Sequence, residues 1–103
     1  MLEAIDLQSL QVTGSVKVGE DPDVLAYDPE WHRLYVATEQ GGLWAYQVRE
    51  RRLFNVGLLN LPHAHTVSVD PSTHLVYLPM QDLDGRPVLR ILAGLRPDDR
   101  KPR

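Results

Sequence analysis

Residues 25–36 of this chain come back 42 positions later as residues 67–78. At that fixed offset Asp28 matches Asp70, Pro29 matches Pro71, His32 matches His74 and Tyr35 matches Tyr77. Each copy reads as a strand, a tight turn and a second strand. An aspartate opening a turn accepts from a backbone N–H two residues on, and the proline after it presets φ. A repeat of about 40 residues made of short strands is one supersecondary unit. Such a unit cannot bury its apolar faces alone and needs stacked neighbours.

The rest of the chain fills in that unit. Residues 2–7 alternate apolar and polar, as a half-buried strand does. Residues 8–11 read as a turn. Val12, Gly14, Val16 and Val18 are expected on one face of a second strand, with Thr13, Ser15 and Lys17 on the other. Residues 19–22 read as a loop, since Pro22 cannot donate to a ladder. Residues 24–27, 33–38, 43–48 and 53–61 follow as four strands, with Gly57 a candidate bulge. The cycle then restarts at 66–69, 75–79 and 88–92, with a longer loop over 81–87. Residues 93–103 hold three Arg, one Lys, two Asp and two Pro and read as a solvated tail.

About nine strands result, in groups of two, four and three, and no helix is needed. The expected architecture is all-β: β-propeller blades, four-stranded antiparallel sheets of about 42 residues. The chain holds roughly two blades plus part of a third, an incomplete ring. Residues 2–21 would form the outer strands of one blade, 22–61 a full blade, and 62–92 the inner three strands of the next, with 93–103 the tail. An open stack leaves apolar faces bare, so the expected partners are further blades in cis or copies of the chain. Three copies would supply roughly six blades, within the usual four to eight. A free-standing open sandwich is the alternative.

The segments Pro22-Asp23-Val24-Leu25-Ala26-Tyr27-Asp28-Pro29, Arg33-Leu34-Tyr35-Val36-Ala37, His65-Thr66-Val67-Ser68-Val69-Asp70-Pro71 and Val76-Tyr77 resemble the YVTN repeat of YncE-like seven-bladed β-propellers. Gly85-Arg86-Pro87-Val88-Leu89-Arg90-Ile91 is similar to the closing strand of such proteins, so the likeness is to their C-terminal part. It covers roughly residues 3–92. It implies a bacterial or archaeal protein, often exported or surface-associated. It implies no particular activity, because propellers of this kind differ in what they do. The opening residues, Met1 to Asp6, lack the basic start and long apolar centre of a secretory signal, which by itself points to the cytoplasm.

A net charge of −3 and a pI near 5.7 do not suit a general nucleic-acid binder. No apolar run reaches about 18 residues, so no membrane-spanning helix is expected. With no cysteine there are no disulfides, thiolate metal sites or cysteine nucleophiles. A Gly-x-Ser-x-Gly elbow, a His-Glu-x-x-His pair and a phosphate-cradling glycine loop are all missing.

Residues that hold a blade together should recur from copy to copy, whereas ligand-binding ones need not. By that criterion Asp28, Pro29, His32, Tyr35, Asp70, Pro71, His74 and Tyr77 are structural, with both histidines in solvated or backbone-capping turn positions. His63 and His65 do not recur. At the 42-residue offset they replace Asp21 and Asp23, in the loop that would enter the innermost strand at the mouth of a propeller channel. His-x-His on extended backbone puts both rings on one face. Together with Asp21 and Asp23 they form the candidate ligand site, for a divalent metal or for acid–base work. No residue is marked as catalytic. Two functions stay open: a non-catalytic binding or interaction module, and a metal-binding or lactonase-like propeller enzyme. Asp82-Leu83-Asp84-Gly85 lacks most of the oxygens of a calcium loop and reads as a polar hairpin. Trp31 and Trp44 read as packing residues, and Arg49, Arg51 and Arg52 as a solvated turn.

Overall fold

The structure, a computed structural model, describes residues 1–39, 42–61, 66–83 and 85–94, without the side chains of 81–83. The described residues form nine strands and three antiparallel sheets. The first sheet pairs β1 (Leu2–Asp6) with β2 (Gln11–Val16). The second runs β3 (Pro22–Asp28), β4 (Arg33–Thr38), β5 (Gly42–Arg49) and β6 (Arg52–Leu59) in sequential order. The third runs β7 (Ser68–Val69), β8 (Leu75–Leu83) and β9 (Arg86–Ala93). Among the described residues no helix is long and apolar enough to cross a membrane.

The sheets stack face to face, and the middle one is covered on both sides. Alternation along β4 and β5 sorts the side chains. Leu34 and Val36 pack with Trp44, Tyr46 and Val48 against Leu2, Ala4 and Val16 of the first sheet. Tyr35 and Ala37 pack with Leu43 and Ala45 against Val67, Val76 and Leu78 of the third. A strand with both neighbours paired and both faces covered needs apolar residues at nearly every position, and β4 is buried from Tyr35 through Thr38. Each fully buried side chain of this size contributes roughly 1.5–3 kcal/mol, so the two inter-sheet layers supply most of the cohesion.

Gly42 makes the β4–β5 turn. Its φ is +92°, and a Cβ there would meet Leu61 N at 2.8 Å and the Leu59 carbonyl closer still. Only glycine fits a left-handed position against which another backbone lies so tightly.

The structure departs from local expectation at four places. Val12 is exposed, not aligned with Val16 and Val18, because the ladder shifts between Ala4 and Ile5 and pairs Ile5 with Val12. One extra residue in a ladder reverses the faces beyond it. Pro22 opens β3 rather than lying outside it, at the first position of a strand, where no donor is required of it. The hairpin after residue 80 is ladder almost to its tip, since β8 reaches Leu83 and β9 begins at Arg86. The bulge expected at Gly57 falls one residue earlier, at Val56, with Gly57 N donating to Asn55 Oδ1.

Tyr46 ties the first two sheets together. It is fully buried and its hydroxyl donates to Lys17 O at 2.8 Å. Burial pushes its phenol up to about 12 from an ordinary 10.0. A raised folded-state value stabilises the protonated form, so this contribution is whole below pH 10 and is lost as pH climbs from 10 to 12. The expected slope is roughly 1.4 kcal/mol per pH unit in that window. Tyr46→Phe should remove this part of the alkaline fall in urea midpoints and lower stability at neutral pH by about 1–2 kcal/mol.

Candidate functional site

Of the proposed channel-mouth residues, Asp21 and Asp23 are among the described residues. Asp21 sits in the turn before β3 with φ of 53°, its carbonyl accepting from Glu39 N at 3.1 Å. Asp23 lies within β3 and is exposed. His63 and His65 lie outside the described residues, as does Asp84 with the side chain of Asp82. Among the described residues no group of three or more His, Asp or Glu could hold a metal ion. Arg51 reaches Asp6 Oδ2 at 3.1 Å on the surface, a contact that solvent screens.

The repeated turn is where polar groups converge. In the first copy Asp28 Oδ1 accepts from the backbone of Glu30 at 3.0 Å and of Trp31 at 3.2 Å. In the second, Asp70 Oδ1 accepts from Ser72 N at 2.9 Å and Ser72 Oγ at 2.8 Å, and the Ser72 hydroxyl holds this carboxyl below its ordinary range. Both turns end on a histidine in the left-handed region, His32 at φ 54° and His74 at φ 64°. A non-glycine residue there costs roughly 1 kcal/mol, which the aspartate bonds offset.

The two copies differ in what their histidines meet. His32 is exposed, with Nδ1 3.1 Å from the Tyr27 hydroxyl. His74 is half-buried between sheets. Its Nδ1 lies 2.5 Å from Oδ2 of the fully buried Asp28. A carboxylate only accepts, so Nδ1 carries the proton. The Trp31 ring stacks flat on the imidazole, with centroids 3.6 Å apart and planes 6° from parallel. His74 Nε2 points toward Glu30 Oε1 at 3.6 Å. His74 is therefore neither solvated nor a backbone cap; it joins the second sheet to the third. Carboxylates face both ring nitrogens, whereas activating a nucleophile would need a hydroxyl or thiol at one of them. The arrangement holds sheets in register.

Arg33 shares this junction. It is fully buried, and among the described residues Nε, Nη1 and Nη2 have no hydrogen-bond partner. Burial lowers the pKa of its guanidinium, opposed by the nearby Tyr35 and Asp28. Comparison of the copies does not single it out, because the matching position in the second is Leu75.

Among the described residues two clefts lie beside the two- and three-stranded sheets. One of about 250 Å³ is lined by Tyr35, Leu43, Leu58, Leu59, Val76 and Leu92, beside the unpaired edge of β9. The other, about 200 Å³, is lined by Leu2, Val18, Pro22, Asp23, Leu25 and Val36, beside β3. Both are mainly apolar and suit side chains more than a polar substrate.

No protein-family model matches the chain, and no curated protein does. A solved structure does: a protein from Lactobacillus plantarum determined by a structural genomics consortium. It has 20% identity and a TM-score of 0.54, with 85% of this chain covered and 31% of that one. The chain thus spans about a third of that neighbour's length. The neighbour is a β-propeller, and the all-β stack of antiparallel sheets described above is a set of partial propeller blades.

Proposed function

We propose that the chain is a non-catalytic propeller segment that works as a binding and interaction module, and that its blades are of the YVTN-repeat, YncE-like kind. The recurring Asp-Pro turn with its histidine and tyrosine supports the second part. One observation carries the first: the stack ends in apolar sheet surface. On the far side of the third sheet Leu75, Tyr77 and Pro79 pair with Ala93, Ile91 and Leu89, with no charge among them. Leu89 and Ile91 are 55% and 53% exposed. Contiguous apolar surface of this sort marks an interaction site.

The test is binding of an environment-sensitive apolar dye to the purified chain at low concentration. Bright fluorescence that fades when the faces become covered is expected. A dye-dark chain that stays monomeric would overturn this reading.

A further inference from the structure

The junction between the second and third sheets has two halves, and each half occurs once more without its mate. Asp28 supplies the front half, and its counterpart Asp70 stands in the third sheet with its carboxylate bonded within its own turn, to the backbone and hydroxyl of Ser72. His74 supplies the back half, and its counterpart His32 stands exposed beside β3. The apolar residues repeat the pattern. Val67 is buried under the second sheet, while Leu25, 42 positions earlier, is 56% exposed. Tyr35 and Ala37 are buried against the third sheet, while Tyr77 is half-buried and Pro79 exposed. One end of the stack is thus the complement of the other.

We propose that copies of this chain associate head to tail, with the Asp70 end of one seated on the His32 end of the next. This rests on the module reading above. The incoming third sheet would cover Leu25 and Tyr27, the inner part of the face that β1 and β2 leave bare. The Asp70 carboxylate would take His32 Nδ1 from the Tyr27 hydroxyl, as Asp28 holds His74. The edge of β9 would then lie toward the free edge of β1, giving a joint sheet of five strands. Thr73 stands where the first copy has Trp31, so no ring stacks on His32 and the contact is weaker than the internal one. Such a heterologous contact closes into a ring or runs on as a filament, according to its rotation.

The experiment uses the whole chain and light-scattering masses from low to high micromolar concentration. Wild type should gain mass with concentration. His32→Asp sets a carboxylate against Asp70 and keeps a residue tolerant of the left-handed region. Asp70→Ser keeps a turn-capping hydroxyl and removes the charge. Each variant alone should associate at least about 30-fold more weakly. Mixed one to one they should form a dimer and stop there, because each supplies the half that the other lacks. That recovery also shows both variants to be folded. Variants that assemble like wild type would overturn the Asp70–His32 pairing and leave the module reading in place. A wild-type chain that binds the dye yet stays monomeric would overturn self-association in the same way.

Discussion

Asp28→Ala is expected to lower the unfolding free energy by about 3–5 kcal/mol, read from urea midpoints, the range for breaking a buried charged network on one side. The side chain is fully buried and makes three bonds. Alanine leaves the N–H groups of Glu30 and Trp31 without their acceptor and takes the anion from His74. It also removes one of the two groups that oppose the desolvation of Arg33. Domains of this size are stable by roughly 5–15 kcal/mol, so much of the margin is at stake. Asp28→Asn retains an oxygen for the turn and should lose less. Equal losses from both variants would show that the carboxylate charge contributes nothing.

Arg33→Leu acts in the opposite direction. It should raise stability by about 1–4 kcal/mol, as replacing buried ionic groups with apolar residues of similar volume often does. The guanidinium is wholly buried and its three nitrogens meet no hydrogen-bond partner among the described residues, so folding strips a cation of water with little in return. The replacement is the one the chain itself uses at Leu75. Asp28 and Arg33 are cross-strand partners, so their effects should not add. In the Arg33→Leu background Asp28→Ala should cost about 1–2 kcal/mol less, since no buried cation then misses the carboxylate. Additive effects would mean that the two groups do not sense each other.

The strand order was legible because it follows from alternation and from turn residues, which are local. The grouping into two, four and three strands, and the propeller-blade class, were read correctly from the 42-residue offset. Faces were harder. Val12 leaves the expected face because β2 carries one extra residue, Thr13, between the partners of Ala4 and Ile5, and no residue type announces such a shift. The site was harder again. His74 looked like a turn residue because a sequence shows its turn and not the sheet stacked against it. Comparison of repeats sorts recurring residues from singular ones. It does not tell that a recurring Asp and a recurring His from different copies are each other's partners. Arg33 was invisible for a simpler reason: an arginine beginning a strand is ordinarily at the surface, and only packing against the third sheet buries it.

The edge of β9 carries a consequence for solubility. Among the described residues that strand is paired with β8 alone. A long unpaired edge with apolar neighbours invites any extended chain to add to it, including partly unfolded copies in the wrong register. β9 carries Arg86, Pro87 and Arg90 along its length. The proline withholds a donor, and the two cations make close stacking of identical edges unfavourable. They discourage indiscriminate growth of the sheet while Leu89 and Ile91 stay open on its face, so the chain can remain dispersed long enough for an ordered encounter to occur.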